Sequence, residues 1–267
     1  MIEFKKVDFK YPGQNKVSGR VLSNIDLRME KGSFYSIVGH NGSGKSTLAK
    51  LITGILTPEK GEIFVDGLPV LEENFISIRR MVGYIFQNPE NQLISTTVEN
   101  EIAFALENLC FKREDIKEKV DDIISWFELE EYRNTPPNML SGGQKQRLAI
   151  ASVVVMEPEY IIFDEPTAML DKNGREEVFK TIKKLSEHGK TIILISHDLK
   201  EIIAADHVIT MQDGKVSGIW KKEEFFSSID LITQAGFKDL PPEILFSKYI
   251  TGNESPVDYI IKEVSNQ

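Results

Sequence analysis

Apolar and polar positions alternate at two periods along the chain, and the change of period marks its organisation. Ile2 to Phe9, Val21 to Met29, Phe34 to Val38 and Glu62 to Val65 are rich in apolar, β-prone residues. An Asp66-Gly67 turn closes the last of them, so the chain is predicted to open on a β subdomain. Spacing then becomes helical. Ile102, Ala105, Leu106 and Leu109 fall at i, i+3, i+4 and i+7, followed by Ile116, Val120, Ile123 and Phe127. Thr96 followed by Glu99 reads as a capping box for the first of these helices, and Pro136-Pro137 places a loop after the second. From Tyr160 strands and helices alternate: YIIF, a polar helix to His188, TIILIS, another helix, then HVITMQ and a turn at Asp213-Gly214. Short apolar strands alternating with helices predict a largely parallel sheet and an α/β core. No internal repeat or low-complexity segment interrupts the pattern.

Composition narrows the function classes. With 267 residues, 41% of them hydrophobic, the chain can bury a substantial core. A formal net charge of -9 disfavours a protein that lives on phosphate backbones, so nucleic acid is not an expected partner. The lone Cys110 cannot form an internal disulfide, and its apolar surroundings, ALENLCF, predict a small buried side chain in a protein of a reducing compartment. The start, MIEFKKVDF, has neither a signal peptide's apolar core nor a transit peptide's bias. Apolar runs such as Ile192 to Ile195 and Val153 to Met156 are far shorter than the roughly 20 residues that cross a bilayer, so a membrane role would come through a partner.

The strand FYSIV runs into GHNGSGKST, where Gly39, Gly44, Lys45 and Ser46 satisfy G-x-x-x-x-G-K-[ST] in a strand-loop-helix context. Glycines let the backbone N–H groups of His40, Asn41, Gly42 and Ser43 turn toward anionic oxygens. Lys45 reaches the β and γ phosphates, Ser46 offers a hydroxyl to Mg²⁺, and Thr47 is a further nucleotide-binding candidate. A second element, YIIFDE, delivers Asp164 and Glu165 at the end of an apolar strand. Asp164 is suited to hold Mg²⁺ and Glu165 to polarise the attacking water, although solvated acids also follow many strands. ATP with Mg²⁺ is the expected ligand pair. A third, Leu140-Ser141-Gly142-Gly143-Gln144, has the S-x-x-Q spacing of a capping box, and as a glycine-rich helix start it also suits an anion.

With that third motif the chain resembles the ATP-binding cassette (ABC) ATPases, over Met1 to about Trp220. The resemblance implies a P-loop NTPase fold with a RecA-like core, an antiparallel β subdomain, a helical subdomain at about 90–157 and a C-terminal helical extension at 221–267. It implies that Tyr11 stacks on adenine, that Gln87 links Mg²⁺ and the attacking water to the helical subdomain, and that His197 senses the γ phosphate. Asp171 matches the loop between paired sites, with Met169 in place of a frequent glycine. An exposed Tyr before Pro, or a polar residue ending a strand, would look like Tyr11 or Gln87. The resemblance further implies that Ser141, Gly142, Gly143 and Gln144 face the phosphate loop of a second chain, so that two ATP molecules are sandwiched in a dimer.

Within that family, FQNPENQLISTTVENEIAFALENL is similar to the ATPases of energy-coupling factor (ECF) transporters, through Q-N-P-x-x-Q and T-V-x-x-x-I-A-F. This resemblance implies an importer of vitamins or transition-metal ions, with a second ABC ATPase subunit, a transmembrane coupling protein and a substrate-binding membrane protein, at the cytoplasmic side of the cell membrane. There Glu90 would meet a basic residue of the partner, or else be a solvated acid at a helix start. The tail after Trp220, with its Pro241-Pro242 break, is similar to the extension that joins the two ATPase chains. The alternatives are the ATPase of another ABC transporter type and a soluble non-transport cassette, either of the DNA-repair or chromosome type or associated with ribosomes. No sustained heptads lie between Lys45 and Ser141, and the chain holds a single cassette, which weighs against the two soluble types.

Overall fold

Runs of buried apolar residues become strands in the computed structural model, which describes residues 1–13 and 21–237. The chain begins β1 (Ile2–Phe9), β2 (Leu22–Met29), β3 (Phe34–Gly39), α1 (Lys45–Ile52), β4 (Lys60–Val65) and β5 (Leu68–Pro69). It continues α2 (Phe75–Met81), β6 (Val82–Ile85), α3 (Val98–Asn108), α4 (Arg113–Trp126), α5 (Gly142–Val154), β7 (Tyr160–Asp164), α6 (Lys172–Glu187) and β8 (Thr191–Ile195). It closes α7 (Leu199–Ile202), β9 (His207–Gln212), β10 (Lys215–Lys221), α8 (Lys222–Phe226) and α9 (Ile229–Gln234). Contacts divide the chain into two compact units, Met1–Phe75 with Ile193–Gln267, and Ile76–Ile192.

In the first unit β1 pairs antiparallel with β2 and with β4, Phe4 lying opposite both Leu27 and Ile63. The sheet order is β2-β1-β4-β5. Asp66 and Gly67, at φ 48° and 79°, make the tight link that brings Val65 opposite Leu68, as D-G predicts. A second set of strands belongs to a separate sheet: β3 runs parallel to β9, from Tyr35 opposite His207 to Gly39 opposite Met211, and β9 pairs antiparallel with β10. Every residue of β3 is buried, which is why its sequence is mostly apolar, broken by Ser36, rather than alternating.

In the second unit β6 runs parallel to β7, with Tyr84 opposite Ile162. Ile161, Ile162 and Phe163 are fully buried, and each such side chain stabilises the fold by about 1.5–3 kcal/mol. Helix α3 packs on α4 and α5, and α5 on α6. Arg133 ties α3 to α4 through Glu99 at 3.0 Å and through Asp121.

Two expectations are corrected here. The cap of α3 is Thr97, not Thr96: Thr97 is the extended residue, and its hydroxyl accepts from the Asn100 N–H at 3.2 Å, while Glu99 is engaged by Arg133. Cys110 is exposed, not buried, because α3 has ended and the residue turns outward at φ 58°. After β10 the described tail contains α8 and α9; Pro241-Pro242 and the rest of the expected extension lie outside the described residues. Among the described residues no helix is long and apolar enough to cross a membrane.

Candidate functional site

The phosphate-binding candidates cluster where β3 meets α1. β3 delivers Gly39, and α1 starts at Lys45 behind Gly44, which caps it without any side-chain bond. First-turn N–H groups of α1 are therefore not taken by a capping side chain, the condition under which a helix start suits an anion. Gly39 cannot be another residue: a Cβ there would lie 2.3 Å from the Met211 carbonyl oxygen and 2.7 Å from Ser43 Oγ. The Lys45 side chain, 5% exposed, curls back so that Nζ donates to the carbonyls of Gly39 at 2.8 Å and His40 at 3.1 Å. Ser43 is equally buried, and its Oγ has no hydrogen-bond partner, a polar atom suited to a ligand oxygen. His40, Asn41 and Gly42 form the exposed outer arc, and Ser46 is half-buried.

Tyr11 comes to the same place. Its hydroxyl lies 3.1 Å from Thr47 Oγ1, and its ring stands edge-on to Phe9 at 5.0 Å. His197 follows β8 and is exposed. Its neighbours fix the backbone around it: buried Ser196 donates its hydroxyl to Glu201 at 2.6 Å and accepts from the Asp198 N–H at 3.0 Å, and Asp198 caps α7.

In the second unit β7 presents two adjacent carboxylates in different backbone settings. Asp164 ends the strand, 7% exposed, and accepts from the Tyr84 hydroxyl at 2.6 Å. Glu165, at φ 50°, turns out of the strand line, and Gln87 Nε2 donates to its Oε2 at 2.8 Å. A left-handed glutamate is uncommon and costs backbone strain, the kind kept where a side chain must point in a set direction. Tyr84 is a residue the sequence reading missed: nothing in GYIFQNP marks it, and only the register of β6 against β7 reveals it.

Ser141 and Gln144 form the capping box that their spacing predicts. The Ser141 N–H donates to Gln144 Oε1 at 2.8 Å, and the Gln144 N–H to Ser141 Oγ at 3.3 Å. Gly143 lies near Gly174, so the starts of α5 and α6 approach closely, and Asp171 caps α6 by accepting from the Gly174 N–H at 2.9 Å. Gln92 donates to the Ala149 carbonyl at 2.7 Å and to Ser152 Oγ at 3.2 Å, tying the segment after Gln87 to α5. Glu90 is paired within the chain: Lys145 Nζ lies 2.6 Å from its Oε1, and that hydrogen bond, then the lysine's charge, holds the Glu90 carboxyl below its ordinary range.

A family model described as ABC transporter matches residues 22–168. The chain is 45% identical over 243 residues to an energy-coupling factor transporter ATP-binding protein of Clostridium novyi, covering 90% of this chain and 86% of that one. The chain belongs to the ABC transporter family. This ABC chain is also 42% identical over 272 residues to an energy-coupling factor transporter ATP-binding protein of Streptococcus pyogenes, covering 100% and 96% of the two. Among solved structures it is similar to cbiO1 of Clostridium perfringens, described as part of the ABC transporter complex cbiONQ, with TM-score 0.77, 32% identity and 93% and 98% coverage. It is similar also to an ATP-binding cassette solved as a dimer in a post-hydrolysis state with ADP and Pi, with TM-score 0.75, 30% identity and 83% and 99% coverage. As an ABC ATPase the chain binds ATP.

Proposed function

We propose that this ABC ATPase is the ATP-hydrolysing subunit of an energy-coupling factor importer for vitamins or transition-metal ions. It would pair with a second ABC ATPase, a transmembrane coupling protein and a substrate-binding membrane protein, at the cytoplasmic side of the cell membrane. Residues 1–220 are the proposed cassette and 221–267 its extension. The observation that carries the hydrolytic reading is the Lys45 ammonium, held inside a glycine loop by two backbone carbonyls. A cation that leaves neutral carbonyls for phosphate oxygens exchanges bonds charged only on the donor for bonds charged on both partners, and gains the attraction of the anion. The ECF assignment rests on the identity to the ECF ATP-binding proteins and on the Gln87 to Gln92 segment, which is anchored on α5.

In this reading the phosphate loop, Gly39 to Thr47, takes the phosphates and Tyr11 the adenine. Glu165 polarises water, His197 senses the γ phosphate, and Ser141, Gly142, Gly143 and Gln144 act on the nucleotide of a second cassette. The Gln87 amide, now on Glu165, must yield its place as the water arrives. Ser46, Gln87 and Asp164 offer a hydroxyl, an amide oxygen and a carboxylate, the hard oxygen donors that suit Mg²⁺. When bound with ATP the ion neutralises developing phosphate charge.

The test is purification of the tagged chain from detergent-solubilised membranes of its own cell, with mass spectrometry and an ATPase assay. Recovery of a second cassette with a multi-spanning membrane protein is the expected result. Recovery only in the soluble fraction, with ribosomes or DNA-bound proteins, removes the transporter reading and leaves the ATPase.

A further inference from the structure

The end of α9 is built onto the phosphate loop. Gly236 N–H donates to the Thr233 carbonyl at 3.0 Å and Phe237 N–H to the Ile232 carbonyl at 3.3 Å, the paired bonds of a Schellman cap. That cap requires a left-handed residue, and Gly236 has φ 102°. Ile232 and Ala235 are buried with Phe225 and Phe226 in a cluster that also contains Val38, the residue immediately before Gly39. On the far side of Gly39 the glycine lies alongside the loop, with no spare room for a side chain. A Cβ on Gly236 would lie 3.2 Å from His40 Nδ1, 3.5 Å from its Cε1 and 3.6 Å from its backbone nitrogen. Both flanks of Gly39 are therefore backed by the same short tail, and the carbonyl of His40 is one of the two that hold Lys45.

We propose that the capped end of α9 is a positioning element for nucleotide binding: Gly236 bears on His40 and fixes the arc from which Lys45 engages the phosphates. The cap makes Gly236 a rigid stop, because its backbone is bonded on one side and its helix is packed on the other. His40 supplies the transmission, since its side chain meets the tail while its carbonyl meets the lysine. The tail touches no reacting atom, so its effect falls on affinity rather than on the chemical step. The proposal rests on the reading that this loop holds ATP.

The experiment measures binding of a fluorescent methylanthraniloyl ATP, with Mg²⁺, to the full chain, alongside thermal unfolding. Gly236→Val is expected to raise the dissociation constant about tenfold, the scale of overpacking a well-filled contact. In the ATPase assay KM for ATP rises while kcat at saturation holds within about twofold. Gly236→Ala, whose methyl intrudes less, is expected to give roughly threefold and serves if the valine variant does not fold. In a His40→Gly background either substitution is expected to change affinity by less than about twofold, because the backbone strain at φ 102° persists there but the two tighter contacts, those to the imidazole, are gone. Unchanged affinity in a folded Gly236 variant overturns the proposal. So does an equal loss in both backgrounds, which would mean tail strain alone. Failure of the unsubstituted chain to bind ATP overturns the reading of the loop itself.

Discussion

Two glycine-rich helix starts, the phosphate loop before α1 and the signature before α5, have opposite finishes. At the first, Ser43, Lys45 and Thr47 are 5–6% exposed, the cap is a bare glycine, and a cation is folded inside. At the second, Ser141 and Gly142 are exposed, and a serine-glutamine box already satisfies two of the helix's free N–H groups. Nearby Met139 and Met169 are 75% and 63% exposed. The difference teaches that the same local chemistry can be a finished cradle or a stable, solvent-facing surface. In the proposed reading the phosphate loop is equipped to bind a nucleotide by itself, and the signature to remain folded until another surface brings one.

Substitutions can sharpen or break that contrast. The largest effect is expected for Glu165→Gln, which keeps ATP binding and lowers the hydrolysis rate by about 10³-fold, the size of a lost general base; wild-type turnover would remove that role from Glu165. Lys45→Ala is expected to weaken ATP binding by about 10²-fold in the isolated chain, since two charge-assisted bonds to phosphate are lost, and titration calorimetry reads it. Next comes Tyr84→Phe, which strips Asp164 of a hydrogen bond and is expected to slow turnover by about tenfold with binding nearly intact. Ser141→Ala should cost about 1 kcal/mol of stability through the lost cap while the isolated chain's ATP affinity stays put. An affinity loss as large as that of Lys45→Ala would erase the contrast.

The smallest effect concerns Glu90. Its folded carboxyl is held low by Lys145, so the pairing contributes above the unfolded value of about 4.3 and is lost as pH falls through the lowered folded value. Denaturation midpoints of Glu90→Gln and the parent should differ slightly at neutral pH and converge in acid. The pair is fully exposed on the glutamate side, which keeps the difference small.

Where function needs fixed residue types at fixed short spacings, the chain was legible. The Ser141–Gln144 box, the strand ending at Asp164 and the Asp66-Gly67 hairpin each depend on neighbours within a few positions. What escaped depends on distance along the chain. Tyr84 meets Asp164 because of a parallel register 80 positions away. Gly236 meets His40 because a tail helix packs beneath β3. The shift of the α3 cap from Thr96 to Thr97 has a local reason: two threonines offer the same hydroxyl, and the engagement of Glu99 by Arg133 is invisible in the capping pattern. Cys110 is exposed although its run is apolar, because α3 ends at Asn108 before reaching it.

The turn at Cys110 makes the molecule convenient to watch. Its sulfur is the chain's sole thiol and faces water at the end of α3. A maleimide dye therefore attaches at one known place, far in sequence from every glycine loop discussed above, and needs no prior removal of competing cysteines. Reporter signals from the Ile76–Ile192 unit can thus be recorded on the native sequence.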